Sequence, residues 1–228
     1  MKNSMLIFFL FCVTAVFSQK DSLHLGDKYL EDQLYFNVTY NQLYDQPQQV
    51  KGSGFSYGIA AGYIKDISLI KSGKLALGLG IGYAFDSFNH GLKLSKVNNE
   101  VIFEANSNIS SNELKIHSFE VPFEIRWRTS TANRYKFWRV YTGVKLSYNL
   151  SNTFLYESTS ATNITTTEKF SDVNRFNKLQ YGLTLSTGYA AFNFHVYYGL
   201  TPMLKGSSLG TSKINTKILK MGFIFYIL

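Results

Sequence analysis

Along LALGLGIGYAF, residues 75 to 85, every odd position holds a large apolar residue and every even one holds glycine or alanine. Successive side chains of a β-strand point to opposite faces, so this pattern predicts a strand with one bulky apolar face and one slender face. Seven other segments alternate in the same way. Leu34, Phe36, Val38 and Tyr40 oppose Tyr35, Asn37 and Thr39, and Phe55, Tyr57, Ile59, Ala61 and Tyr63 oppose Ser56, Gly58, Ala60 and Gly62. A fourth segment, Phe119 to Trp127, carries Glu120, Pro122, Glu124, Arg126 and Arg128 on its other phase. A fifth, Trp138 to Leu150, carries Arg139, Tyr141, Gly143 and Lys145 there. The remaining segments run over 179–189, 192–200 and 213–228.

The connections between segments alternate in length. Those at 45–53, 89–113, 151–175 and 203–212 are long and polar, and those at 66–73, 129–135 and 190–191 are shorter. Long loops on one side, short turns on the other and an even strand count describe an outer-membrane barrel with both termini in the periplasm. Two positions strain the pattern. Ala190 and Ala191 lack the Asn-Gly chemistry of a two-residue hairpin. Pro122 falls inside a strand that a closed barrel must pair on both sides, which predicts a bulge or a missing ladder hydrogen bond.

A soluble, lipocalin-like barrel with the apolar face inward is the alternative arrangement. Its outer face would then be the slender one, which should be charged to stay in water. That face instead reads Gly58, Ala60, Gly62, then Gly78, Gly80, Gly82, then Gly182, Thr184, Ser186. An eight-stranded barrel is just wide enough inside for its own side chains, so slender strands must be matched by bulky ones. Glu120, Glu124, Arg126, Arg128, Arg139, Tyr141 and Lys145 are the residues that fill the space, with the large apolar face toward lipid. The prediction is an all-β, eight-stranded antiparallel up-and-down transmembrane β-barrel over residues 33–228.

Composition agrees, with 19 Phe, 16 Tyr, 17 Gly and only 3 Pro, a profile rich in strand formers. The N-terminus adds a targeting step. Lys2, an apolar core from Met5 to Phe17 and Ser18 before Gln19 form a signal peptide over residues 1–18, too short to span a bilayer. Residues 19–32 then form a periplasmic arm. Cys12 is the only cysteine and lies inside the apolar core behind Phe11, which argues against a lipoprotein signal and leaves the mature chain without a thiol. All basic residues but Lys2 remain after cleavage, 22 against 15 acidic. No basic stripe suggests nucleic acid as a partner, and anionic lipid head groups account for the excess more simply.

The lumen charges Glu120, Glu124, Arg126, Arg128, Arg139 and Lys145 read as paired filling rather than a gate, since charges kept from water must find partners. Trp127 and Trp138 flank the 129–135 connection on the apolar phase, where an aromatic girdle belongs, though aromatics also pack ordinary cores. The histidines at 24, 90, 117 and 195 show no metal-binding spacing, so neither a metal nor another cofactor is expected. Catalysis would need His117 or His195 to meet a serine and an acid on one surface, as a lipid-modifying enzyme would require. A non-catalytic chain is the expectation. The terminal KMGFIFYIL, with Lys220, Gly222, Phe225 and Ile227, resembles the signal by which barrel-assembly machinery recognises its clients.

Several stretches resemble the PorT family of outer-membrane proteins: GDKYLEDQLYFNVTYNQL (26–43), YGIAAGYIKDISL (57–69), LALGLGIGYAFDSF (75–88), FEVPFEIRWRTSTANRYKFWRVYTGVKLSY (119–148) and QYGLTLSTGYAAFNFHVYYGLTPMLKG (180–206). The resemblance covers nearly all of the mature chain and is weakest in the long loops. It implies an accessory component of the type IX secretion system of Bacteroidota, which exports sorting-domain proteins and so supports gliding or surface display. Other secretion subunits would be its partners. It brings no catalytic residues to carry over. A stand-alone pore, receptor or structural barrel is the alternative reading of the same strands.

Overall fold

The computed structural model describes residues 32–47, 54–70, 72–90, 92–97, 100–105, 109–129, 137–159, 165–190, 192–205, 208–209 and 212–227. The expected signal peptide, Cys12, His24 and all of the expected arm except Asp32 lie outside these residues. The strands are β1 (Gln33–Tyr44), β2 (Tyr57–Ser68), β3 (Leu75–Asn89), β4 (Leu92–Val97), β5 (Glu100–Ala105), β6 (Ile109–Arg128), β7 (Trp138–Thr159), β8 (Thr165–Ser171), β9 (Leu179–Tyr189), β10 (Phe192–Gly199), β11 (Ser208–Leu209), β12 (Ser212–Lys213) and β13 (Lys217–Ile227).

Eight of these close a barrel in the order β1, β2, β3, β6, β7, β9, β10, β13 and back to β1, every pair antiparallel. The fold is the expected eight-stranded up-and-down barrel. Pairings such as Leu34 with Ile227, Arg128 with Arg139 and Tyr189 with Phe192 put both ends of the described wall at the same rim as the short turns. At the other rim β4 pairs β5, β11 pairs β12, and β8 continues the sheet beyond β7.

The alternation holds in space. Leu79, Ile81, Tyr83, Phe123, Ile125, Leu183 and Phe194 face outward and are exposed, while Ala76, Ala84, Glu120, Arg126, Tyr141 and His195 are buried in the lumen. Bilayer hydrocarbon is the solvent that makes such an outer face stable.

The outer face turns polar toward the loop rim. On β6 the outward residues run Trp127, Ile125, Phe123, Val121, Phe119, then His117, Lys115 and Glu113. From Trp127 to His117 is roughly 34 Å of strand, about 26 Å of height at a tilt of ~40°, which matches the apolar band of an outer-membrane barrel. Above that band the interior inverts as well. Phe88, Leu114, Ile116, Phe154, Phe176, Met203, Leu204, Ile214 and Ile218 form an apolar plug in the loop end of the barrel.

Several boundaries differ from expectation. The connection expected at 66–73 begins later, because Asp66 and Ser68 belong to β2, and the third wall strand runs on to Asn89. The loops expected at 89–113 and 151–175 contain β4, β5, β8 and long extensions of β6 and β7. The cause in β7 is a bulge: His117 pairs with Ser151 and Ser118 with Asn149, leaving Leu150 as an extra residue. Before it the odd residues Arg139, Tyr141 and Lys145 point inward, and after it the even residues Asn152, Phe154 and Tyr156 do. The last strand starts at Lys217 rather than Lys213, which lies in β12.

Pro122 causes no bulge. It pairs with Lys145 in unbroken register, and on its other side the ladder between Leu79–Phe123 and Gly82–Glu120 lapses at Gly80 and Ile81. A residue without an N–H cannot donate there, so the expected loss is a missing ladder bond. β9 and β10 join where the hairpin was expected, Tyr189 pairing with Phe192 and Ala190 at φ 54°, a turn conformation that asparagine or glycine more often adopts.

Candidate functional site

The most elaborate side-chain arrangement is in the lumen. At the turn rim Arg126 Nη1 donates to Asp66 Oδ1 at 2.5 Å and its Nε to Glu124 Oε2 at 3.0 Å. Arg128 donates to the other oxygen of Asp66 and, through Nε, to the Gly73 carbonyl at 2.8 Å. Arg139 donates to the Ala190 carbonyl and lies over the Phe137 ring at 4.3 Å. One aspartate thus holds two guanidiniums, and three arginines close this end of the barrel.

Toward the loops Lys145 Nζ pairs with Glu120 Oε1 at 2.9 Å, and Lys220 Nζ with Asp86 Oδ2 at 2.6 Å. Asn41 Nδ2 also donates to Asp86 Oδ1 at 2.8 Å, and Asn41 Oδ1 accepts from Thr39 Oγ1 at 2.8 Å. Aromatic rings separate the pairs: the Arg126 guanidinium lies 4.4 Å from the Tyr141 centroid, and Lys145 lies 4.9 Å from that of Tyr197. The slender strands make the room. A Cβ on Gly78 would come within 2.7 Å of Arg126 Nε, and one on Gly82 would collide with the Tyr35 hydroxyl.

The structure therefore brings Glu120, Glu124, Arg126, Arg128, Arg139 and Lys145 into the lumen, all buried. Sequence reading missed Asp66, the partner of Arg126 and Arg128, and the pairing of Lys220 with Asp86. The signal was present, since Asp66 continues the inward phase of Gly62 and Ile64, and Asp86 that of Gly82 and Ala84. Lys-Asp before an expected turn reads as loop, and that masked it.

Neither histidine arrangement supplies a nucleophile, base and acid on a surface that lipid can reach. Ser186 Oγ lies 2.7 Å from His195 Nδ1, but both are buried in the lumen. On the outer wall His117 meets the Tyr83 hydroxyl, while Ser87 donates to Glu113. Among the described residues no group of histidine, cysteine and acidic side chains could hold a metal ion.

Trp127 and Trp138 both face outward at the turn rim, Trp138 with its ring 5.6 Å from that of Tyr189. A second run of rings, missed in the sequence, crosses the loop end of the wall from Tyr40 through Phe55, Tyr57 and Phe85 to His117, with neighbouring centroids 5.0 to 6.2 Å apart. In β13 Lys220 is engaged by Asp86, Phe225 packs on Phe192 with centroids 5.5 Å apart, and Ile227 is exposed.

A family model described as "Outer membrane protein beta-barrel domain" matches residues 17–205. No curated protein matches the chain. Among solved structures, the attachment invasion locus protein Ail of Yersinia pestis is similar at 15% identity and a TM-score of 0.34, covering 86% of this chain and 98% of Ail. A triple mutant of Rhodopseudomonas blastica porin is similar at 10% identity and a TM-score of 0.21, covering 87% of this chain and all of that one.

Proposed function

Because the chain belongs to the outer membrane protein beta-barrel domain family, we propose that it acts as a non-catalytic outer-membrane barrel working through protein contacts, as an accessory component of type IX secretion. The observation that carries the non-conducting part is the Arg126–Asp66–Arg128 bridge, with Lys145–Glu120 and Lys220–Asp86 stacked above it and the apolar plug above those. An eight-stranded barrel has an interior only wide enough for its own side chains, and these pairs occupy it, which supports a barrel that carries no cargo through itself. The secretion role is supported by the resemblance of the quoted stretches to the PorT family. In this reading the termini and short turns face the periplasm, Trp127 and Trp138 mark that interface, and Lys220, Gly222, Phe225 and Ile227 form the signal read by barrel-assembly machinery.

Two measurements test this. In a deletion strain, mass spectrometry of the medium and cell surface should show sorting-domain proteins lost while other outer-membrane proteins persist; normal export would end the secretion reading. Purified protein in planar bilayers should give no stable open channel, and steady conductance would favour a stand-alone pore.

A further inference from the structure

One charge on the lipid-facing wall is unanswered by the protein. Between the turn rim and His117, the outward positions of the described wall strands are uncharged except for Lys65 on β2. Lys65 is exposed, and its ammonium has no ion-pair or hydrogen-bond partner among the described residues. A lysine inside a hydrocarbon band lays its stem along the wall and carries its ammonium to the nearer interface. Lys65 sits two residues below Tyr63 and two above Ile67, and β2 ends at Ser68, so that interface is the one at the turn rim.

An acid stands beside it. Gln33 pairs with Ile64, which sets Asp32 next to Lys65 at the start of β1. Asp32 Oδ2 accepts from the Tyr63 hydroxyl at 2.8 Å and Oδ1 from the Asp66 N–H at 3.2 Å. Because Tyr63 faces lipid, the first bond holds this exposed carboxylate on the outer side of β2, with lone pairs to spare. Directly above lies a hollow. Ala61 is the smallest outward side chain of the described apolar band, and its cross-strand neighbours are Phe36 and Tyr83. The resulting apolar recess is lined by Leu34, Ala61, Tyr63, Ile81, Tyr83 and Phe119, with Leu34 and Tyr63 at its turn-side mouth.

We propose that the turn-side half of this wall holds one phosphoethanolamine lipid, its phosphate on Lys65, its ammonium on Asp32 and one acyl chain running up past Tyr63 into the recess over Ala61. Lys65 calls for an anion that arrives with an apolar tail, and a lipid phosphate at the interface is that group. Asp32 then selects among phospholipids. A glycerol head leaves the net charge of the phosphate beside the carboxylate, and a choline head has no N–H to donate to it. An ethanolamine head answers both residues. The site rests on the reading that the short-turn rim lies in the periplasmic, phospholipid leaflet, and it is independent of any role in secretion.

Native mass spectrometry of the full mature chain, released from nanodiscs holding equal amounts of phosphatidylethanolamine, phosphatidylglycerol and phosphatidylcholine with matched acyl chains, tests the site. Phosphatidylethanolamine should be retained over each of the others by about five-fold, the scale of one exposed charge-assisted contact. Asp32→Asn should erase that preference while lipid stays bound, and Lys65→Gln and Ala61→Phe should each abolish retention of all three. Heat-dependent gel migration checks that each variant is a folded barrel. Equal retention by the unaltered chain, a preference for either other lipid, or a folded Lys65→Gln variant that retains lipid as before would overturn the site. Nanodiscs offer phospholipid to both rims, so this readout is blind to orientation, which is measured separately by labelling a tag before Gln19 in intact cells. No labelling from outside is expected; labelling would overturn the periplasmic leaflet assignment and the orientation reading together.

Discussion

Arg126 on β6 reaches Asp66 on β2 across the intervening strand β3, with Nη1 to Oδ1 at 2.5 Å, by passing over Gly78. Asp66 pairs with Gly78 in the sheet and Gly78 with Glu124, so the glycine lies beneath the bridge. Gly78→Leu should therefore cost roughly 1–3 kcal/mol by overfilling the lumen. Ala61→Leu, on the outer face of β2, should cost little. Urea unfolding of both variants in lipid vesicles measures the difference, and equal costs would contradict the assignment of faces.

The two guanidiniums on Asp66 give a second expectation. Breaking a buried ion pair by removing one partner leaves an uncompensated charge, a loss of about 3–5 kcal/mol. Asp66→Asn should fall in that range. Replacing Asp66 by Leu and Glu124 by Gln together with Arg126 and Arg128 by Met removes each charge with its partner, since Glu124 also pairs with Arg126, and should recover most of the stability. The same unfolding assay compares them.

On the outer face, Leu79 lies within the apolar band and Ile67 near the turn end of β2, both exposed. Leu79→Arg should cost roughly 2–4 kcal/mol and Ile67→Arg at most about 1, because the penalty for a cation in lipid falls away toward the interface. Folding yield into vesicles reports the order.

The plug should respond to pH. His90 lies above the apolar band, its ring edge-on to Phe154 with centroids 5.4 Å apart, and burial pushes its imidazole down to about 4 from the ordinary 6.5. An open plug takes up a proton below pH 6.5 whereas the closed one does not, so closure is fully favoured above that pH and weakens as pH falls toward about 4. Amide exchange in Leu114, Ile116 and Phe154 should accelerate over that window, and His90→Phe should flatten the response.

Period-two alternation revealed the eight walls because one solvent, the bilayer, acts on all of them between the two rims. It failed where the solvent changes. Above His117 the outward residues Lys115 and Glu113 are polar and the inward Leu114 and Ile116 apolar, so the phase reverses and a strand reads as a loop. The bulge at Leu150 flips β7 a second way, which is why the fifth segment ended there in the sequence. The lumen residues on β6 and β7 were legible as charges on a strand. Asp66 and Asp86 were legible only as inward positions and their pairings with Arg126 and Lys220 were not, because pairing across three or four strands depends on the shear of the closed barrel rather than on any local spacing.

Depth-resolved fluorescence quenching tests the central claim, that the bulky face meets hydrocarbon. In vesicles of lipids brominated at chosen depths, Trp127 and Trp138 should be quenched most by shallow bromines. A single tryptophan placed by Leu79→Trp, with both native tryptophans changed to Phe, should be quenched most by deep ones. Quenching of none of the three by lipid at any depth, with full quenching of Leu79→Trp by aqueous iodide, would contradict the account.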